Sequence, residues 1–505
     1  MRTSSPIIAG LALVLGGCGA KIISQKSAGD GGMTSKPAAQ LQYTPNGCNY
    51  TVTTMQAVSN AQYLGSQGTP LTSPPLHVHA SFAGDPSTTF AVNWKANTGA
   101  TLVQLFYGTN PDAVAAAGGG EASDAGTNAS DGGEAGDGGE PTDAGSVGAA
   151  DAGPAGATAS VQYGHSFDVI STMDGSVAVH VQEAHVCGLT PGTTYYYKVG
   201  TTGNFSAVYS LTTAPPLGST GEFKIGISGD ARDDPATFAT VEQDLAARGP
   251  VVQVFSGDAV DVGVEQYEWD ALFEATGTTS SVQQLLAGIP IMTADGNHEQ
   301  LAANYLSQFA LPQQKGGGED DTLGTGIPVE KAWYSFNYAN VHFIILNDST
   351  VNLDTVATTE ASWLQNDLAS VNRTVTPWIF VSHHQPIYSC DNVHGSDTAL
   401  GTAWQPLFDQ YAVDIVFNGH VHNYQRSNPI RGANVNATSG TVYVVSGAAG
   451  APLYGYNGAG SCAFSNNGLS TTNYTIVDVS GSTVTVTAYD VNAGDVQLDQ
   501  FTLSK

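Results

Sequence analysis

The chain has 505 residues, more than one hydrophobic core usually organises, and 41% of them are hydrophobic, enough to build two or more globular domains. Its 15 Lys and Arg stand against 44 Asp and Glu, a formal net charge of −29. Such a surface repels polyanions, which excludes chromosomal nucleic acid as a partner, and any recognition of an anion requires a local positive centre such as bound metal ions.

At the N-terminus, Arg2, the apolar run Ile7 to Leu15 and the string Leu15-Gly16-Gly17-Cys18 read as an export signal over residues 1–17. The run is shorter than the roughly 20 residues that span a bilayer. Cys18 has the position of a lipobox cysteine, and Gly19 carries no sign of inner-membrane retention. Similarity to bacterial lipoproteins implies an exported protein, lipid-anchored at the cell envelope and specifically at the outer membrane. Residues 18–45, rich in Ser, Gly, Ala and Gln without periodicity, are expected to form a flexible tether. With Cys18 lipidated, Cys48, Cys187, Cys390 and Cys462 remain, an even number in an oxidising compartment, so two disulfides are expected. Four cysteines allow three pairings; Cys48–Cys187 with Cys390–Cys462 keeps each bridge within one of the domains outlined next.

Alternating apolar and polar residues begin near Leu76, in His77 to Phe82, Thr89 to Trp94 and Leu102 to Tyr107. The alternation returns in Ala178 to Val181 and in Cys187 to Gly200, which contains the turn Thr190-Pro191-Gly192. Short half-buried strands at this spacing predict a β-sandwich over 46–215. His77, His79, His180 and His185 lie in or beside these strands with no Cys or carboxylate spacing that points to a metal, and they are read as structural. The stretch 113–157 consists of Gly, Ala, Ser, Thr and acidic residues with almost no large apolar side chain, and it predicts a disordered acidic insert.

From Phe223 the pattern changes. Phe223 to Ser228 is an apolar run ending in Gly229-Asp230, and Val251 to Ser256 repeats the design before Gly257-Asp258. Between them, Phe238, Val241 and Leu245 give helical spacing over Thr237 to Arg248, so strand, helix, strand follows, within an α/β domain over 222–505. Three further strings also stand just past apolar runs. Gly296-Asn297-His298-Glu299 follows Ile289 to Met292, His383-His384-Gln385-Pro386 follows Trp378 to Val381, and Gly419-His420-Val421-His422 follows Val413 to Phe417. Loops beyond strand ends are where α/β sheets build their sites, and oxygen with imidazole donors and no thiol suits Zn, Fe or Mn.

In this order the five strings resemble the metallophosphoesterases of the calcineurin-like superfamily. Resemblance to the purple acid phosphatases extends through Ala332 to Phe336, Trp363-Leu364, Thr376 to Trp378, Tyr411 to Phe417 and Gly419 to Ser427. Leu189 to Gly200 is similar to part of their N-terminal domain. The resemblance implies an N-terminal all-β fibronectin III-like sandwich plus an α/β metallophosphoesterase domain with two central β-sheets flanked by helices. It implies two divalent or trivalent ions, Fe, Zn or Mn, with Asp258 bridging them, Asp230 and His422 on the first, and Asn297, His384 and His420 on the second. His383 is the alternative to His384. The implied activity is hydrolysis of small phosphate esters, phosphomonoesters as in acid phosphatases, by a metal-bound hydroxide. The same core also serves phosphodiesterases and nucleotide hydrolases, and a catalytically weak surface binding protein on this fold is a third reading. His298 is expected to donate a proton or hydrogen bond to the leaving side and Arg232 to hold the phosphate, while His394 and Asp397 stand where the family has further pocket groups. Two departures matter. Purple acid phosphatases have G-D-x-x-Y, whose tyrosinate colours Fe(III), but Asp261 stands at that place here; the D-x-H of other members is Asp230-Ala231-Arg232. Water or Asp261 is left to complete the shell of the first ion.

Overall fold

The computed structural model describes residues 41–53, 59–119, 158–170, 178–313, 331–349, 353–432, 434–435, 438–458 and 462–505. The export signal, Cys18 and residues 18–40 lie outside the described residues, as does 120–157 of the acidic stretch. Among the described residues no helix is long and apolar enough to cross a membrane.

The N-terminal part is a sandwich of two five-stranded sheets. One runs Ser59–Gln62, His165–Ile170, Ala178–Val186, Phe90–Ala96, Leu76–Ser81, antiparallel throughout. In the other, Thr194–Thr201 pairs with Gln104–Gly108, Asn204–Phe205 and Tyr209–Thr212. Two details at its ends differ from expectation. Gln42–Tyr43 pairs with Val52–Thr53, so strand pairing is found inside the expected tether. Pro111–Ala116 is a helix: Asn110 Oδ1 accepts from the amides of Asp112 and Ala113, Pro111 pre-sets the first turn, and Val114 is buried. Lys198 Nζ donates to Ala115 O at 2.8 Å, so the ordered structure runs several residues into the proposed insert. Composition missed this helix because a cap and one buried side chain suffice for six residues.

The strands also differ from the half-buried expectation. Phe90–Ala96 is buried at every position but Lys95, and Leu76–Ser81 at every position but Leu76. The reason is a second packing partner, the segment Ala303–Leu311 of the C-terminal part. Asn93 Nδ2 donates to Ser307 O at 2.9 Å, Ser81 Oγ to Ala310 O at 3.0 Å, and His79 Nε2 pairs with Gln308 O. Polar residues on the expected solvent face therefore satisfy the backbone of a neighbouring domain.

The C-terminal part has two sheets. The six-stranded one runs Ile291–Thr293, Val252–Phe255, Phe223–Ser228, Asn473–Ser480, Thr483–Asp490, Val496–Ser504. The seven-stranded one runs Tyr334–Tyr338, Val341–Ile345, Trp378–Ser382, Ile415–Asn418, Val442–Ser446, Tyr424–Ser427, Ser465–Leu469. Three neighbours in the first sheet and four in the second are parallel, and their carboxyl ends deliver the loops that carry the five strings. Helices lie between them: Pro235–Ala247 is capped by Asp234, which accepts from Thr237 N at 3.1 Å, and Thr398–Tyr411 by Asp397. Arg426 grips Asp499 with Nε at 2.5 Å and Nη2 at 3.0 Å, tying a strand of the seven-stranded sheet to the last strand of the other. Disulfides join Cys48 to Cys187 and Cys390 to Cys462, with Cα separations of 5.0 and 5.9 Å.

Candidate metal centre

Three of the five strings turn sharply where a strand ends. Asp230, Asp258 and His420 have φ of 58°, 58° and 65°, left-handed backbone that costs a residue with a Cβ roughly 1 kcal/mol. Three such residues in one crevice mark a place where geometry is imposed by use. The preceding glycines are required by crowding: a Cβ on Gly296 would overlap the Asp258 side chain, and one on Gly419 would overlap Asp230.

The donors converge. His384 Nε2 stands 3.0 Å from Asn297 Oδ1, 3.2 Å from Asp258 Oδ2 and 3.2 Å from His420 Nδ1. Asp258, His384 and His420 form the group able to hold an ion found among the described residues. Beside it, His422 Nε2 lies 3.5 Å from Asp230 Oδ1, and the amide of His420 donates to both Asp230 oxygens at 2.9 and 3.0 Å. Both carboxylates are buried. His384 Nδ1 donates to Ser256 O at 2.8 Å and His422 Nδ1 to Pro452 O at 2.7 Å, which turns each Nε2 toward the crevice.

Electrostatics agree with a cation-binding role. Burial opposes the His384 imidazolium, but the charge and hydrogen bond of Asp258, with Asp230 behind it, hold its pKa well above the usual value. Burial also pushes the Asp258 carboxyl up, and His384 outweighs it, leaving the group below the usual carboxylate range. A field that keeps a proton on a buried imidazole favours any cation there. Burial, followed by the charge of His384, depresses His420, and burial pushes His422 down to about 4, the direction that favours the neutral ring a metal ligand needs. Two buried carboxylates, an amide oxygen and three imidazoles, with no thiol, fit a pair of ions of the Zn, Fe or Mn kind.

The remaining expected residues divide. His383 points away from the crevice: its Nδ1 bonds Asp348 Oδ2 at 2.7 Å and its ring meets Trp404 edge-on, because successive residues at a strand end face opposite sides. Asp397 accepts from the amides of Ala399 and Leu400 as a helix cap, and that is its placement rather than a pocket group. His394 is at the crevice, its ring centroid 4.1 Å from that of His420. His298 Nδ1 donates to Asp261 O at 2.7 Å, leaving Nε2 3.8 Å from Asp258 Oδ2. Asp261 Oδ1 is engaged by Arg232 Nη1 at 3.0 Å and by His298 Nδ1 at 3.1 Å.

Several contributors were not singled out from sequence. Glu299, inside the third string, accepts from the amides of Asp258, Ala259, Val260 and Gly296 and so fastens two ligand loops together. Asp391 accepts from the amides of Val393, His394 and Gly395 and shapes the loop that presents His394. The segment after Val442–Ser446 brings Pro452 O to His422 and stacks Tyr454 on it, centroids 4.0 Å apart. Its small residues, Gly447-Ala448-Ala449-Gly450-Ala451, beyond the end of a parallel strand were the available signal.

The chain is similar to known proteins. Residues 223–424 match the calcineurin-like phosphoesterase family and residues 75–213 the purple acid phosphatase N-terminal domain. Purple acid phosphatase 15 of Arabidopsis thaliana is 30% identical over 315 residues, 57% of this chain and 56% of that protein. A phosphoenolpyruvate phosphatase of Allium cepa is 29% identical over 273 residues, 52% of this chain and 53% of that protein. The chain thus spans about half the length of the curated relatives it matches. The structure of purple acid phosphatase PPD1 from yellow lupin, Lupinus luteus, superposes with a TM-score of 0.64 at 17% identity, covering 86% of this chain and 74% of that one, a likeness of fold. The chain carries a purple acid phosphatase N-terminal domain followed by a calcineurin-like metallophosphoesterase domain.

Proposed function

We propose that this protein hydrolyses phosphomonoesters at a dinuclear metal centre, with 222–505 as the catalytic domain and 46–215 as a sandwich braced against it. The observation that carries the reading is the convergence of Asp258, Asn297, His384 and His420 around one point, with Asp230 and His422 adjoining. Asp230 and His422, with Asp258, would hold one ion, and Asn297, His384 and His420, beside the same Asp258, would hold the other. Bound ions supply Lewis acidity toward the phosphoryl group and an activated water.

The chain's own residues do the rest. Water forms a new P–O bond as the ester P–O bond breaks, and the departing oxygen takes a proton to leave as an alcohol. His298 is placed to give that proton: its Nδ1 is fixed by Asp261 O, which aims Nε2 at the crevice. Arg232, its side chain only 13% exposed, faces Asp258 and binds the phosphate. His394, over His420, forms the rim. Loading the protein with Zn, Mn or Fe, counting ions per chain and screening phosphate mono- and diesters tests the reading. Two ions and monoester turnover are expected; two ions with no hydrolysis of any ester would overturn it.

We also propose that Cys18 is lipidated after export and anchors the protein at the outer membrane. Support comes from the Leu15-Gly16-Gly17-Cys18 string and from the two disulfides, which suit an oxidising compartment. Mass analysis of the mature N-terminus should find acyl chains on Cys18, and Cys18→Ser should move the protein from membrane to soluble fractions.

A further inference from the structure

We propose that Arg232, fixed in place by Asp233 and Asp261, is the group that selects phosphomonoesters over phosphodiesters. The inference rests on the hydrolase reading and names the substrate class of the same site.

Arg232 follows the strand Phe223–Ser228 in the turn Asp230-Ala231-Arg232-Asp233-Asp234. Its Nη1 donates to two carboxylates at once, Asp233 Oδ2 at 2.8 Å and Asp261 Oδ1 at 3.0 Å. A guanidinium is planar and rigid, so two anchors on one nitrogen set the plane of the whole group. Its Nε is buried, makes no hydrogen bond among the described residues, and stands 3.6 Å from Asp258 Oδ2, the carboxylate at the heart of the donor cluster. A buried N–H whose nearest acceptor stands at ion-pair range, with no hydrogen bond made, gains from a closer acceptor, and a guanidinium edge suits a phosphoryl oxygen as well as a carboxylate. The anchoring is itself anchored: Glu268 Oε2 accepts from the amides of Asp261 and Val262 at 2.6 and 2.9 Å, holding the loop that brings Asp261 across to Arg232.

The selection follows from counting oxygens. A phosphomonoester carries three non-bridging oxygens and, when fully ionised, two negative charges; a diester carries two such oxygens and one charge. A cationic donor placed beside the metal-ligand cluster and outside it finds a further oxygen to bind only in the monoester. In a diester that position belongs to an ester oxygen bearing carbon, a poor acceptor that also brings an apolar group against a buried N–H. Asp233 and Asp261 are positioning residues, since Asp233 touches Arg232, Asp261 touches Arg232 and His298, and neither need touch the substrate.

The test compares the metal-loaded wild type with Arg232→Ala, Arg232→Lys and Asp261→Asn. The readouts are metal content, kcat and KM for one aryl monoester and one aryl diester, and calorimetric Kd for inorganic phosphate and for dimethyl phosphate. Arg232→Ala should retain its ions, lose about 10²-fold in monoester kcat/KM and bind inorganic phosphate about tenfold more weakly, with diester turnover and dimethyl phosphate binding unchanged within about threefold. Arg232→Lys should recover part of the phosphate affinity, and Asp261→Asn should act mainly through monoester KM. Equal losses on monoester and diester, or unchanged phosphate affinity in an ion-replete Arg232→Ala, would overturn the inference. Because phosphate binding is read without turnover, an inactive wild type would count against the hydrolase reading while the calorimetry still decides the role of Arg232.

Discussion

Ten of the twelve histidines fall into two groups of five that look alike in sequence and behave oppositely in space. In the sandwich, His79, His180 and His185 have both ring nitrogens engaged by separate fixed partners: His77 O and Gln308 O, Asp168 and Ala100 O, Tyr50 and Glu183. Each such ring bridges two parts of the scaffold, with a fixed partner against both nitrogens and neither open to an ion. In the C-terminal part, His384 and His422 use one nitrogen to lock onto a backbone carbonyl and turn the other toward carboxylates in a shared crevice. Burial and hydrogen bonding do not separate the two groups; direction does. A ligand histidine is recognised by nitrogens of different residues pointing at one spot.

The largest effect should come from breaking that convergence. Asn297→Ala or His420→Ala is expected to lower the ion count and cut turnover by at least ~10²-fold, as loss of a ligand does at metal sites. Full activity with an unchanged ion count would place the centre elsewhere. His298 tests whether a histidine at the edge of the cluster serves protons in place of metal. His298→Asn should keep its ions and slow esters of poor, high-pKa leaving groups by about 10²-fold, with activated aryl esters partly spared, since only the former need protonation in the transition state. Equal losses on both would move the acid role to His394 or solvent.

Buried carboxyls divide in the same way as the histidines. Asp258 has His384 beside it, whereas Glu242 lies behind the strand Phe223–Ser228 with Gln253 and Ser228 as its hydrogen-bond partners among the described residues, and burial pushes its pKa up to about 7. The folded state therefore holds a proton that the unfolded chain releases near pH 4.5. Stability falls as pH rises from there through 7 and is flat beyond, at a cost that approaches ~3 kcal/mol. Glu242→Gln should raise the unfolding free energy at pH 8 and do little at pH 4; equal effects at both would show that the carboxyl does not titrate in this window. The smallest effect is expected in the sandwich, where His79→Ala should cost about 1–2 kcal/mol by stranding Gln308 O, with the ion count unaltered. A drop in bound metal would instead show that the seam transmits strain to the Gly296–Glu299 loop.

What the sequence determined by itself was set by local rules. Apolar runs ending at Gly229-Asp230, Gly257-Asp258 and Gly419-His420 defined parallel strands and the loops past their ends, because a strand's burial pattern and a glycine's lack of Cβ are properties of neighbouring residues. The five strings that bear oxygen and imidazole donors were visible past apolar runs for the same reason, while the choice of ligands among them came from resemblance to the metallophosphoesterases; the β character of the N-terminal part was local too. Only the tertiary structure decided what depended on residues far apart in the chain. It turned His384 inward and His383 toward Asp348, joined Asp261 to Arg232 and His298 across 29 and 37 residues, and gave Asp397 to a helix cap. It also buried both faces of Phe90–Ala96 against Ser307 and its neighbours. Side-chain direction and the satisfaction of buried polar groups are set by packing between distant segments, and no local pattern in the sequence encodes them.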